Sequence, residues 1–329
     1  MSIIKVGPVE IIMGENDSRA PFSTCMVIKG KDNSALIECG AGMEALLSIR
    51  KQHNIKRIYL SHHHFDHTWG VSLFPDAEKF INPLDLNKAL NTEELVKAQG
   101  FPAVLEEAEL KSLLDEQHHF SPPGSDRVFE RNLDIRDSYA YDQEFEVSGT
   151  SVMMIHSPGH TEGYCCPYLP EHGILYVGDF DLTSFGPFYC DADGNIDLFI
   201  RSAQKTLEID AEYIVTAHQK GVMRKAEYKR KLIDYLAIIE KREQVIKRFI
   251  KNGRPPQELT KQSIFYYEEQ TKRNPFYLKS EKLGIVKHLQ RLIHQGEPFD
   301  EFYQEFLLVQ NIKEKYTTYQ SGLGKVNNQ

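Results

Sequence analysis

The stretch Ile55-Lys-Arg-Ile-Tyr-Leu60-Ser61-His62-His63-His64-Phe65-Asp66-His67 decides how this chain reads. A β-rich run ends directly in a loop that carries His62, His64, Asp66 and His67. Imidazole nitrogen and carboxylate oxygen are the donors that zinc and similar ions accept, and this loop holds more of them than one tetrahedral ion needs from one segment. A packed core would not tolerate such a cluster, so the loop predicts two neighbouring metal ions and hydrolytic chemistry. His62 and His64, two apart on extended backbone, point the same way and grip one ion, while Asp66 and His67 lie one step onward to serve another.

Upstream of the loop, residues 9–13, 25–28 and 35–38 read as strands and 42–53 as a helix, the mixture of an α/β layer. From about 76 to 140 the chain changes character. Helices are expected over 85–90, 93–99 and 104–115, followed by a break at Pro122-Pro123-Gly124, as in an inserted helical lobe. Strands return at 144–147, 151–156 and 173–177, a helix covers 197–208, and a last strand at 213–216 stops just before His218. Strand ends therefore also carry His160 in Ser157-Pro-Gly-His-Thr-Glu-Gly163, Asp179 in Gly178-Asp-Phe180 and His218 in Ala217-His-Gln219. Strand ends are where α/β layers build their sites.

The donors then sort into two sets. His62, His64 and His160 serve one ion, Asp66, His67 and His218 the other, and Asp179 bridges both, which relieves the repulsion between two dications. With two carboxylates and a bridging hydroxide, two dications keep about one positive charge to stabilise a developing oxyanion. The hydroxide is the expected nucleophile, and Asp66 is the group best placed to move its proton toward the leaving group.

These motifs resemble the metallo-β-lactamase superfamily: His62 to His67 matches its H-x-H-x-D-H loop, and His160, Asp179 and His218 follow in its order over roughly residues 1–222. The resemblance implies an α/β fold, a four-layer αββα sandwich with metals at one edge, here with a helical insertion and a C-terminal helical appendage. It also implies a dinuclear hydrolase related to glyoxalase II, thioesterases and ribonucleases, commonly with two zinc ions, iron or manganese being alternatives. Asp179 stands where secreted zinc β-lactamases commonly use cysteine, so antibiotic hydrolysis is not expected. Glu38, in Ile37-Glu-Cys-Gly-Ala-Gly42, occupies the place of an aspartate that supports the metal loop from outside in many relatives. Residues 223–329 look helical, with a fainter likeness to the winged-helix-like appendage of the branch that holds thioesterases and a single-strand endoribonuclease.

Charge and composition narrow the rest. The formal net charge of −8 over 329 residues argues against general affinity for nucleic acid or anionic membrane. Residues 220–254 nevertheless hold twelve Lys or Arg against four acids. That is the solvated face of a long helix, with Leu232, Tyr235, Leu236, Ile239, Ile246, Phe249 and Ile250 on its apolar side, or a phosphate-holding surface. A small-molecule ester, thioester or lactone is the expected substrate. The alternatives are single-stranded RNA or another phosphodiester, and a metal-binding regulatory protein without turnover. The start shows no signal-peptide pattern and no stretch approaches a membrane span, so a cytoplasmic location is expected. The five cysteines form no CxxC pair and read as buried thiols. His63 is expected to turn away from the metals. Asp191-Ala-Asp-Gly-Asn-Ile-Asp197 reads as an acidic turn before a helix, with Asp197 as N-cap. Phe185, Phe188 and Tyr189 either line the substrate pocket or pack in the core.

Overall fold

The computed structural model describes residues 2–117, 119–120, 129–130 and 133–321. The break expected at Pro122-Pro123-Gly124 lies outside them. The first sheet contains seven strands in chain order: β1 (Ile3–Val6), β2 (Val9–Ile12), β3 (Cys25–Lys29), β4 (Ser34–Ile37), β5 (Ile55–Leu60), β6 (Glu78–Ile81) and β7 (Ile135–Ser138). It begins as an antiparallel meander and turns parallel from β4 onward. The second sheet has six strands, β8 (Glu144–Val147), β9 (Thr150–His156), β10 (Cys165–Leu169), β11 (Ile174–Gly178), β12 (Tyr213–Thr216) and β13 (Val222–Arg224). Only β11 and β12 in it run parallel, and the helix Ile196–Lys205 crosses between them. β6 and β7 fall at the two ends of the stretch read as a helical insertion, and the longest helices in that stretch run from Leu86 to Gln117.

Alternation along the strands shows the layering. Ile11, Met26, Ile28 and Ile37 of the first sheet meet Val152, Met154, Ile174 and Tyr176 of the second in one shared core. Their strand neighbours Cys25, Val27 and Leu36 face outward onto Leu46 and Ile49 of the helix Met43–Gln52. On the other side, Leu175, Val177 and Ile214 pack on Ile196 and Phe199 and on Tyr228, Leu232, Tyr235 and Ile239 of the helix Lys225–Lys251. The result is helix, sheet, sheet, helix. Both faces of each sheet are covered, which is why these strands read as nearly continuous apolar runs.

A fourth core lies outside the sandwich. Val96, Phe101 and Leu105 from the inserted segment share it with Ile246, Phe249, Leu283, Leu289 and Phe306 from the C-terminal helices. Local chemistry sets these helix ends. Asn91 caps the helix Thr92–Gln99 by accepting from the Glu93 and Glu94 amides, and Gly100, at φ +84°, ends it. Asn274 caps Pro275–His294 in the same way, with proline at the first helical position. After the helix Lys225–Lys251 comes a short 3₁₀ segment, Pro256–Gln262, and a turn that leads into the helix Glu268–Arg273. No described helix is long and apolar enough to cross a membrane.

Candidate metal centre

The loop after β5, the turn after β9 and the ends of β11 and β12 converge at one rim of the sandwich. His62, His64, His160 and Asp179 offer donor atoms that all lie within 4.8 Å of one another, and Asp66, His67 and His218 form a second such group. Asp179 stands between them. Its Oδ2 is 2.7 Å from His160 Nε2 and 3.4 Å from His62 Nε2, whereas Oδ1 is 3.2 Å from His67 Nε2 and 3.4 Å from His218 Nε2. Asp66 Oδ2 lies 3.3 Å from His218 Nε2. His67 Nε2 and Asp179 Oδ1 are buried without a hydrogen-bond partner, an arrangement that costs free energy unless a cation receives both. The donor set fits a divalent metal.

Residues 19–218 match the sequence model of the Metallo-beta-lactamase superfamily. The chain belongs to this superfamily. An uncharacterized protein of Aquifex aeolicus (strain VF5) is 25% identical over 185 residues, 54% of this chain and 69% of that one. Among solved structures, a metallo-beta-lactamase family protein from Thermus thermophilus superposes with a TM-score of 0.62 at 17% identity, covering 88% of this chain and 94% of its own. A beta-lactamase domain protein from Burkholderia ambifaria gives 0.56 at 14% identity, covering 90% and 89%. At these identities the likeness concerns the fold. Superfamily membership and the clustered His and Asp donors make the protein a metal-dependent hydrolase.

Every histidine of the donor set has its second ring nitrogen held by a neighbouring group, which orients the ring. His62 Nδ1 meets Ser61 Oγ at 2.9 Å, and His160 Nδ1 lies 2.8 Å from the Phe188 carbonyl. His218 Nδ1 points at the Ser18 and Phe22 carbonyls, both at 2.9 Å. His64 Nε2 faces Asp191 Oδ2 at 3.0 Å, leaving Nδ1 for the centre. His67 Nδ1 meets Glu38 Oε2, while Glu38 Oε1 accepts the Ser61 amide at 2.7 Å. Glu38 is fully buried at φ +64°, a strained value for a side chain of its size. Its side chain thus holds the metal loop from outside, at both the Ser61 amide and the His67 ring. Gly40 lies under the same loop, where an added Cβ would fall 1.6 Å from the Asp66 carbonyl oxygen.

His63 turns away and is buried, its Nδ1 3.2 Å from Asp85 Oδ1. His63, Asp85 and Asp193 could by composition hold an ion, but the Lys88 ammonium already lies 2.9 Å from Asp85 and 2.6 Å from Asp193. That cluster buttresses the loop: Asp85 also accepts the His63 amide, and Asn82 donates to the Ser61 carbonyl. The acidic turn is likewise structural in part. Asn195, not Asp197, caps the helix Ile196–Lys205, and Asp197 pairs with Arg291. Asp191, which stands behind His64, is not singled out by the sequence, because nothing local in residues 191–197 marks it.

A cavity of about 1300 Å³ opens over the centre. His64, Asp66, His160, Asp179 and His218 form part of its floor. Phe185 and Phe188 line it, joined by Tyr266, Phe276 and Tyr277 from the C-terminal helical region. Tyr189 does not. It is fully buried, with its hydroxyl 2.9 Å from His288 Nε2 and 3.1 Å from the Arg242 guanidinium, so the core alternative applies to that ring. Arg242, on the helix Lys225–Lys251, donates to the Phe185 and Pro187 carbonyls and fixes the aromatic loop from behind. Lys229, Arg230 and Lys231, nearer the start of the same helix, are exposed.

The electrostatics predict how metal uptake depends on pH. Burial opposes charge on His67, His160 and His218, but Asp179 and its fellow carboxylates outweigh it and raise all three above the ordinary imidazole value. Burial likewise opposes ionisation of Asp179, yet the surrounding histidines hold it well below the usual carboxylate range. Metal must displace the imidazole protons, so uptake near neutral pH should release protons. Calorimetry in buffers of different ionisation enthalpy measures their number. In the chelated protein, stability from the raised histidines is full below their unfolded pKa and lost as pH rises through the folded values. The gap in melting temperature between metal-loaded and chelated protein should therefore widen above neutrality.

Proposed function

We propose that the protein is a dinuclear hydrolase that cleaves an ester, thioester or lactone carrying an apolar acyl group. The observation behind this reading is Asp179, whose two oxygens face two separate sets of donors. His62, His64 and His160 would hold one ion and Asp66, His67 and His218 the other, with Asp179 shared between them. Zinc suits this His and carboxylate set, as do iron and manganese. Ions bound there would supply a hydroxide nucleophile near neutral pH and polarise the substrate carbonyl.

The chain's own residues do the rest. Asp179 and Asp66 offset the charge of the ions, and Asp66, half-buried at the cavity floor, is placed to carry a proton to the leaving group. Phe185, Phe188 and Phe276 offer the acyl group an apolar wall and keep bulk water from the reacting carbonyl. Among the described residues, no Lys or Arg lines the cavity, which disfavours a polyanionic substrate such as RNA.

Elemental analysis of the purified protein, followed by a panel of thioesters, lactones, phosphodiesters and single-stranded RNA, tests this. Two metals per chain and turnover confined to carbonyl substrates are expected. RNA cleavage that falls steeply with salt, and again when Lys229, Arg230 and Lys231 are neutralised, would overturn the substrate assignment in favour of a nuclease.

A further inference from the structure

Of the five histidines in the donor set, only His64 and His67 are backed by carboxylates, Asp191 and Glu38. Asp191 is almost completely buried, and its second oxygen receives the ammonium group of Lys279. Lys279 is fully buried too, and it comes from the helix Pro275–His294, outside the sandwich. Its Nζ lies 4.6 Å from the ring centroid of Phe276, 5.3 Å from Phe101 and 5.9 Å from Phe188. Three rings and a carboxylate thus enclose one cation. Burying an ammonium is costly, and this one is placed where it meets a carboxylate already committed to His64.

We propose that Lys279 is a positioning residue of the metal centre, which fixes the orientation of Asp191 so that this carboxylate holds His64 Nε2 and leaves Nδ1 turned toward the first metal position. The proposal rests on His64 being a ligand. With Lys279 present, both oxygens of Asp191 are engaged, one by the Lys279 ammonium and the other by His64 Nε2. Without Lys279, the carboxylate loses the contact that fixes its second oxygen and can turn away from Nε2. His64 then loses the partner that orients its ring toward the first metal position. A helix distant in sequence therefore completes the first metal position. The same helix also carries Phe276 and Tyr277 of the cavity wall.

The test uses the full-length protein, loaded with zinc or cobalt(II), with metal content measured after dialysis and affinities measured against a chromophoric chelator. Lys279→Met should lower affinity at one of the two positions by roughly 10- to 100-fold and leave the other unchanged, the usual effect of losing a partner behind a metal-bound histidine. Lys279→Arg should recover most of the loss. Asp191→Asn should match Lys279→Met, and the double variant should be no worse than either, because both act through one chain of contacts. Should Lys279→Met fail to fold, Asp191→Asn, which keeps the side chain's size, decides the same question. Unchanged affinity at both positions overturns the proposal, and so does an equal fall at both that tracks a lower melting temperature, since that is a structural role alone. If instead the parent protein binds fewer than two metals, the dinuclear reading itself fails.

Discussion

Replacing Asp179 with alanine is expected to strip the protein of both metal ions and to lower hydrolysis by about a thousandfold or more, the scale of losing a metal-generated nucleophile. The reason lies in its position. Asp179 Oδ2 faces His62 and His160 while Oδ1 faces His67 and His218, and among the described residues no other touches both donor sets in this way. Without it, two dications would sit close together with only Asp66 as an anionic donor. Asp179→Asn keeps the shape and one neutral oxygen, and should retain metal more weakly than the parent. Metal content per chain and turnover are measured on the same samples. A variant Asp179→Ala that keeps two metals and full activity would remove the dinuclear reading.

A chain ending at residue 222 is expected not to fold. The boundary is attractive on paper, since the donor residues all lie before it. Yet Tyr228, Leu232, Tyr235 and Ile239 lie within the core formed on the second sheet, each almost completely buried. Leaving the faces they cover in water forfeits on the order of 6–12 kcal/mol, at roughly 1.5–3 kcal/mol per buried side chain. That equals the whole stability of a typical domain, about 5–15 kcal/mol. The fragment would also lose the Tyr235 hydroxyl that donates to the Asp179 carbonyl, and the Lys279 contact with Asp191. Gel filtration and thermal melting of residues 1–222 check this. A monomeric fragment with a cooperative melt and two bound metals would show that the helical region is dispensable.

The donor residues were legible because metal binding requires particular atoms, and few residue types supply them. His62, His64, Asp66 and His67 stand close in sequence, and His160, Asp179 and His218 each follow a recognisable strand. The short strands β6 and β7 were not legible in the same way. Each has four residues, and Glu-Lys-Phe-Ile and Ile-Arg-Asp-Ser carry as much charge as apolar content, so only pairing in the sheet marks them. Long-range partners were hidden for a different reason. Lys88 and Lys279 look like any helix lysine, and Asp191 and Asp193 like any acidic turn, until folding removes water from around them.

By itself, then, the sequence determined the layered α/β fold and which residues gather at its rim, because strand periodicity and donor chemistry are local properties. Tertiary structure alone decided that the inserted and C-terminal helices share one core and line the cavity, and that Tyr189 stays out of it. It also decided that a carboxylate and a lysine from distant segments stand behind His64. Those outcomes depend on which apolar faces meet and which charges lose their water together, and neither is written in the spacing of residues along one chain.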